Sequence, residues 1–105
     1  MPGFPDELVA CTGFQWDDGN ATKNWEAHRV SQAECEQAFF CRPLRIAPAI
    51  GHAGPEPRWA LLGQTYEHRP LTVVFTVRGT LVRIISARDM SRQERRLHER
   101  LEASP

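Results

Sequence analysis

Three consecutive β-strand patterns, at residues 58–66, 71–77 and 80–88, constrain the fold more than any other feature of the sequence. The middle pattern alternates so that four apolar side chains share one face of a strand. Only residues 67–70 and the turn at Gly79 separate it from its neighbours, which is too short for a crossover connection. Strands joined in this way pair antiparallel, so the region predicts a three-stranded meander.

Two capping boxes predict helices on either side of the meander. Ser31 and Glu34 have the spacing in which each side chain bonds the other residue's backbone N–H, and they begin a predicted helix over residues 31–41. Ser91 and Glu94 repeat the pattern and begin a C-terminal helix. Helices grouped around antiparallel strands indicate an α+β fold, with helices packed on one face of the sheet.

A weaker strand and helix precede these elements. Residues 14–16 alternate apolar and polar, as in a short strand. Over residues 18–28, Ala21, Trp25 and His28 share one helical face, so we expect a helix that depends on the packing of Trp25.

The remaining segments complete the predicted organisation. We expect a short strand at residues 44–47 and a surface loop at 48–57, which is rich in proline and glycine. Residues 1–13 are expected to form an N-terminal arm, and residues 14–102 a single domain. The predicted fold has two N-terminal helices, an antiparallel β-sheet meander and a C-terminal helix.

Charge is distributed unevenly although the net charge is zero. Residues 1–57 carry a net charge of −4, whereas residues 58–105 carry +4, with nine arginines and no lysine. The planar arginine fork suits phosphate or carboxylate, so this half predicts a polyanionic partner such as RNA. The alternative is a solvated helix surface with internal salt bridges.

Several classes of function are excluded by missing motifs. The sequence has no glycine-rich nucleotide loop, no HExxH and no GxSxG, and its three cysteines match no common zinc spacing. We therefore expect no cofactor and no metal. No apolar run approaches the roughly 20 residues that span a bilayer, and no export signal is evident, so we expect no membrane partner and a cytoplasmic location.

Five residues are candidates for phosphodiester chemistry: His28, Arg58, Arg83, Arg88 and His98. An arginine such as Arg83, which alternates with apolar residues in a strand, is costly to bury unless it meets an anion. The alternative for these arginines is a salt bridge to Asp17 or Glu94.

The histidines also have structural alternatives. His28 can cap the carbonyls at the end of its helix. His98 points away from Leu97 and Leu101 by helical angle, so it can be an exposed residue that pairs with Glu94 or Glu102.

Three segments carry a resemblance to a known family. Residues 14–17 (FQWD), followed by Asn24 and His28, resemble the opening of the BrnT toxin family. Residues 58–63 (RWALLG) and 83–88 (RIISAR) resemble its later strands, and the Arg-rich final helix follows. The sequence departs from the family pattern where lysines are replaced by Asn20 and Ala27, a glycine by Arg29, and an aromatic residue by His98.

The resemblance implies a RelE-like ribonuclease toxin of a type II toxin–antitoxin system, which inhibits translation and growth. It implies RNA as substrate, including ribosome-associated mRNA, and an antitoxin with a ribbon-helix-helix part through which operator DNA is bound. We expect metal-independent cleavage, with Arg58, Arg83 and Arg88 on the phosphate and His28 or His98 moving protons. Further RNA contacts are expected from Arg78, Arg92, Arg95 and Arg96. The alternative is a non-catalytic toxin-like protein that grips an antitoxin or nucleic acid.

Overall fold

The computed structural model describes residues 5–49 and 54–103 and shows an α+β architecture. Within that part of the chain, the elements in order are α1 (Asp6–Val9), β1 (Gly13–Gln15), α2 (Lys23–His28), α3 (Gln32–Gln37), β2 (Arg45–Pro48), β3 (Trp59–Gln64), β4 (Pro70–Arg78), β5 (Leu81–Asp89) and α4 (Arg92–Ala103). The α+β class and the C-terminal helix are confirmed. Residues 50–53 of the predicted surface loop, including His52, lie outside the described residues.

The described residues form one five-stranded sheet in the order β1-β5-β4-β3-β2. Strands β2 to β5 pair antiparallel, which confirms the meander and adds β2 to it. β1 instead runs parallel to β5, with Gly13 opposite Leu81 and Gln15 opposite Arg83. The sequence predicts a short strand here without a direction, because a three-residue strand carries no signal for the direction of its partner.

The N-terminal helices differ from the prediction in number. Three helices precede β2 in the described chain, because Asp6–Val9 forms a turn of helix inside the segment expected to be an arm. Leu8 and Cys11 pack against the core, so this segment is in contact with the domain. The division into an arm and a domain at residue 13 stays a prediction.

The core lies between one face of the sheet and helices α2 and α3. Strand residues Leu61, Val73, Phe75 and Ile84 are fully buried there. The helical side contributes Val30, Cys35 and Ala38. At Gly63, a Cβ atom would lie only 2.8 Å from the Ala38 carbonyl oxygen, so this glycine allows the end of α3 to approach β3.

Two buried asparagines attach the α2 region to β5. Trp25, which was expected to do this, is 50% exposed. The Asn20 amide instead donates to the Ile84 carbonyl at 3.0 Å, and the Asn24 carbonyl oxygen accepts from the Ala87 N–H at 2.9 Å. β1 ends at Gln15, so beyond Arg83 its backbone no longer pairs with β5. The asparagines satisfy that exposed strand edge.

A β-bulge at Ile85 changes which side chains of β5 share a face. Consecutive residues of β4 lie opposite Ser86 and Ile84, which leaves Ile85 as the extra residue. An uninterrupted strand would place Arg83 and Arg88, five residues apart, on opposite faces. The bulge places both on the face that points away from α2 and α3.

Both capping boxes are confirmed. Ser31 Oγ accepts from the Glu34 N–H at 3.1 Å, and Glu34 Oε1 accepts from the Ser31 N–H at 3.0 Å. At the start of α4 the corresponding distances between Ser91 and Glu94 are 3.2 and 2.8 Å. These motifs are short-range, so the sequence alone specifies them.

Helix α4 packs through His98 rather than presenting it to solvent. The side chain is 3% exposed, and its Nε2 lies 2.8 Å from the Pro43 carbonyl oxygen. The alternative of an exposed His98 is therefore wrong, because the carbonyl gives the ring a polar partner inside the fold. The expected partner Glu102 is present, with Oε1 3.5 Å from Nδ1.

Candidate functional site

A polar cleft of about 190 Å³ opens beside β5, and we call it the arginine cleft. Four cationic side chains line it, each from a different segment: Lys23 begins α2, Arg58 precedes β3, Arg78 ends β4 and Arg83 lies in β5. Its other lining residues are Gly19, Asn20, Glu56, Ile84 and Ile85. The fold thus concentrates positive charge at a place where no sequence segment is itself a cationic run.

Arg83 is held by a carboxylate at the wall of the cleft. Its Nη1 and Nη2 donate to Asp17 Oδ2 at 2.7 Å and Oδ1 at 3.1 Å, a two-point contact. The Arg83 hydrogen bonds, followed by the Gly19 N–H, hold the pKa of the Asp17 carboxyl below its usual value. A Cβ at Gly19 would lie 3.0 Å from Arg83 Nη2, so glycine leaves room for this pair. The salt-bridge alternative is confirmed for Arg83.

Arg78 makes a second contact of the same kind. Its Nε and Nη2 donate to Glu56 Oε2 at 2.9 Å and Oε1 at 3.3 Å. These hydrogen bonds hold the pKa of the Glu56 carboxyl below its usual value. Glu56 comes from the β2–β3 connection, so two different connecting segments each place a carboxylate on an arginine of the cleft.

Arg58 and Lys23 add two further cations to the cleft, and Glu56 is close enough to Arg58 for their charges to interact. Arg58 Nε is buried, and the described residues give it no hydrogen-bond partner. Lys23 is exposed and forms no ion pair within residues 5–49 and 54–103. With Arg78 and Arg83 already paired, these two cations leave the cleft positive.

Arg88 lies outside the cleft and connects the sheet to α4. Its Nη1 and Nη2 donate to Glu94 Oε1 at 2.7 Å and Oε2 at 3.0 Å. Thr72 Oγ1 also donates to Glu94. The Arg88 hydrogen bonds are the main reason that the pKa of Glu94 falls to about 2. The salt-bridge alternative is therefore confirmed for Arg88, at the start of α4.

Neither candidate histidine lies in the arginine cleft. His28 is exposed at the end of α2, where its backbone carbonyl accepts from Arg69 Nη2 at 3.2 Å. His98 is buried against Pro43, and it lines a different polar depression together with Gln64 and His68. The described lining of the cleft contains no imidazole, so its chemistry rests on fixed positive charge.

Comparison with known protein families identifies the chain. A family model for the BrnT ribonuclease toxin of type II toxin–antitoxin systems matches residues 16–94. The chain belongs to the BrnT family. The matched segment contains every residue that lines the arginine cleft. Membership implies an RNA substrate and an antitoxin partner. A search of curated proteins found no match to this chain.

The other arginines expected to contact RNA in this BrnT chain are separate from the cleft. Arg92, Arg95 and Arg96 are exposed on α4. Arg95 lines a second polar depression, of about 330 Å³, together with His68 and His98. Of the expected RNA contacts, the structure brings Arg78 together with Arg58 and Arg83.

Lys23 is a cleft residue that sequence reasoning missed. It is the single lysine of this BrnT chain. It lies three residues after Asn20, and Asn20 is the position at which the family pattern has a lysine. The one feature of the sequence that distinguishes Lys23 is that it is a lysine in a chain whose other basic residues are all arginine. No local sequence pattern indicates that α2 lies close to β4 and β5, so the position of Lys23 in the cleft could not be predicted.

Arg69 is the second residue that was missed, and its contacts are structural. Its Nε donates to Asp89 Oδ1 at 2.8 Å, and its Nη1 to Glu34 Oε2 at 3.1 Å and the Arg29 carbonyl at 2.9 Å. The Asp89 contact, which is the main cause, raises the pKa of Arg69. This arginine therefore joins the end of α2, the start of α3 and the end of β5.

Other reactive chemistry finds no support in the described residues. Burial, as the main cause, raises the pKa of the Cys35 thiol to about 12, so it is not a nucleophile at neutral pH. No group of three His, Cys, Asp or Glu side chains in residues 5–49 and 54–103 is arranged to hold a metal. None of the helices in that part of the chain is long and apolar enough to cross a membrane.

Proposed function

We propose that this chain is an endoribonuclease toxin that binds a phosphodiester of RNA in the arginine cleft. The observation that carries the proposal is the buried Arg58 Nε, which has no partner among the described residues and lies beside Lys23, Arg78 and Arg83. An unsatisfied buried donor costs about 1–3 kcal/mol, and more when it is charged. A phosphate oxygen would remove that cost, whereas an uncharged ligand would leave the positive charge in place.

The cleft is suited to stabilise charge in the cleavage step. The ribose 2′-oxygen attacks the adjacent phosphorus and gives its proton to water, while the bond from phosphorus to the 5′-oxygen breaks. The 5′-oxygen takes a proton from water, and the products are a cyclic phosphate and a free 5′-OH. Arginine stays protonated, so Arg58, Arg78 and Arg83 stabilise the extra negative charge of the phosphorane rather than transfer protons.

We propose that cleavage requires no metal ion. The neutralisation that a divalent cation gives to a phosphoryl group is available here from fixed guanidinium groups. Cleavage by the purified toxin should therefore proceed at the same rate in EDTA. A loss of activity in EDTA that Mg²⁺ restores would contradict metal independence.

The proposed biological role follows from the BrnT family. Cleavage of RNA, including mRNA on the ribosome, would inhibit translation and arrest growth. An antitoxin with a ribbon-helix-helix part would neutralise the toxin and link it to operator DNA. Family membership supports the antitoxin and the RNA substrate. The ribbon-helix-helix part, the RelE-like chemistry and the effect on growth are our proposals.

One observation favours the alternative, a non-catalytic protein that grips an antitoxin or nucleic acid. Arg83 and Arg88, the two arginines first expected on the phosphate, are both paired with the chain's own carboxylates. A cleft that only binds an antitoxin or nucleic acid would need no group that transfers protons. Induction of the chain without an antitoxin separates the two functions, because only the nuclease shortens transcripts.

The variants Arg58→Ala and Arg83→Ala test the proposal in the same induction experiment. We expect each to abolish growth arrest and to accumulate as folded protein. Arg45→Ala is the matched control, since it removes an exposed arginine of β2 that is not part of the cleft lining, and it should arrest growth like the wild type. Full toxicity of the Arg58→Ala and Arg83→Ala double variant would contradict the proposed site.

A further inference from the structure

We propose that Asp17 and Glu56 act as intramolecular anions on the guanidinium groups of the arginine cleft, and that an RNA phosphate binds by displacing them. The inference rests on the proposed function and adds a determinant of its affinity. The two carboxylates then compete with RNA for the arginines and lower the affinity of the cleft for RNA.

The geometry of both contacts matches the way arginine binds phosphate. Asp17 presents both carboxylate oxygens to two nitrogens of Arg83, at 2.7 and 3.1 Å. Glu56 does the same for Arg78, at 2.9 and 3.3 Å. A phosphate group offers two oxygens to the same planar fork. Each carboxylate therefore occupies the position that a phosphate oxygen pair would take.

Exposure makes these carboxylates displaceable. The side chains of Asp17 and Glu56 are 50% and 33% exposed, and both belong to connecting segments. Glu94 provides the contrast in exposure, because its side chain is only 22% exposed. Asp17 also accepts a hydrogen bond from the Gly19 N–H, at 2.9 Å.

The Arg78–Glu56 pair is partly exposed on both sides, and such pairs contribute little stability, so a polyanion can compete for it. The Arg83 side chain is only 14% exposed, so it needs an anionic partner in either state, and a phosphate would take the place of Asp17.

The unpaired cations give the exchange a starting point. Arg58 and Lys23 attract a phosphate without first breaking an ion pair within the described residues. Once the phosphate is in the cleft, its remaining oxygens lie close to Arg78 and Arg83. The released carboxylates can then turn to water, which costs them little because both are already partly hydrated.

Binding of a non-cleavable RNA tests the exchange directly. The probe is a short, mixed-sequence 2′-O-methyl RNA, which retains the phosphates and lacks the attacking hydroxyl. Its dissociation constant is measured for the wild type, Asp17→Asn, Glu56→Gln and the double variant. We expect each single variant to bind about 2- to 5-fold more tightly, the range of an exposed ion pair, and the double variant about 10-fold more tightly.

Two control variants separate ion-pair exchange from general charge effects. Asp18→Asn removes the same charge one residue away, and Glu67→Gln removes a glutamate in the β3–β4 turn; both side chains are exposed. Tighter binding in Asp17→Asn and Glu56→Gln than in these controls supports the exchange. Thermal unfolding of every variant verifies that the fold is retained, and Glu56→Gln tests the inference independently if Asp17→Asn is unstable.

The outcomes distinguish this inference from the proposed function. If the wild type binds the probe and the cleft variants bind no more tightly than the controls, the exchange is wrong and the RNA site stands. If neither the wild type nor any variant binds the probe, the proposed function fails, and the exchange fails with it.

Discussion

Arg69 and Arg58 are the same residue type in two regions of this molecule, and the fold treats them differently. The Arg69 guanidinium reaches Asp89 and Glu34, as well as the backbone carbonyls at the end of α2. The Arg58 Nε is buried in the arginine cleft without a partner in the described residues. The difference teaches how to separate a structural cation from a candidate binding cation in a chain with many arginines.

All five N–H groups of Arg69 have acceptors within the protein, so this guanidinium has no donor left for a ligand. The hydrogen bonds of Arg69 join three elements, so they contribute to the free energy of unfolding. Arg58 leaves an electrostatic cost in the folded protein that a bound anion would remove. On this basis, removal of Arg69 should affect stability first, and removal of Arg58 should affect function first.

The largest expected effect on stability is that of Arg69→Ala. The substitution leaves the carbonyls of His28 and Arg29 without this donor, and the carboxylates of Glu34 and Asp89 without their counter-ion. We expect a loss of about 3 kcal/mol in the free energy of unfolding, measured by urea denaturation, because breaking a partly buried ion network approaches the cost of breaking a buried pair.

The Arg45→Ala variant is the control for Arg69→Ala, and its unfolding free energy should change by less than about 0.5 kcal/mol because Arg45 is exposed on β2. RNA cleavage per folded molecule should be unchanged in Arg69→Ala. If Arg69→Ala is as stable as the wild type but no longer cleaves RNA, the assignment of Arg69 as structural and Arg58 as functional is wrong.

The local parts of this architecture could be predicted from the sequence. The capping boxes at Ser31 and Ser91 involve residues three positions apart, and the meander follows from alternation and short turns. Arg83 was also placed correctly opposite its apolar neighbours on β5. Each of these features is specified by residues close together in the chain.

The parts that were missed depend on contacts between distant segments. Asn20 and Asn24 are buried because β1 is too short to cover the edge of β5, which no local pattern reveals. His98 is buried against the carbonyl of Pro43. The two residues are more than fifty positions apart in the chain, so no local pattern predicts the contact. The same holds for the position of Lys23 in the cleft.

The next largest effect concerns the Arg88–Glu94 pair and its dependence on pH. The pKa of Glu94 falls from its ordinary value of 4.5 to about 2, mainly through hydrogen bonds from Arg88. A carboxyl whose pKa is lowered by folding stabilises the protein above its unfolded pKa and loses that contribution as pH falls through its folded pKa. We expect about 2 kcal/mol to be lost between pH 4.5 and pH 2, a value reduced for partial exposure.

Glu94→Gln isolates this contribution. Asp89, Asp17, Glu34 and Glu56 also have lowered pKa values, so the wild type loses stability over the same range for several reasons. From pH 7 to pH 2, the free energy of unfolding should decline less in the variant than in the wild type. The difference between the two declines is the contribution of Glu94. Parallel curves for the two proteins would contradict the assignment.

The smallest expected effect is that of Lys23→Ala on RNA cleavage. Lys23 is exposed, and it contributes a solvated charge to the cleft rather than a buried donor. We expect about a tenfold loss in the single-turnover cleavage rate, with unchanged unfolding, compared with the 10²- to 10³-fold loss typical when a preorganised donor to developing charge is removed.

Lys23→Arg sharpens the comparison with Arg58. The conservative variant keeps the charge, so it should recover most of the rate lost in Lys23→Ala. A Lys23→Ala loss as large as that of Arg58→Ala would mean that the distinction between an exposed and a buried cation is wrong.

The central claim, that the unpaired Arg58 Nε–H receives an RNA phosphate, is tested most directly by NMR of the arginine Nε–Hε groups during titration with the 2′-O-methyl RNA. The account predicts that the Arg58 resonance shifts and its hydrogen exchange slows as RNA binds, whereas the Arg69 resonance does not move. A saturable RNA complex in which Arg58 is unperturbed would contradict it.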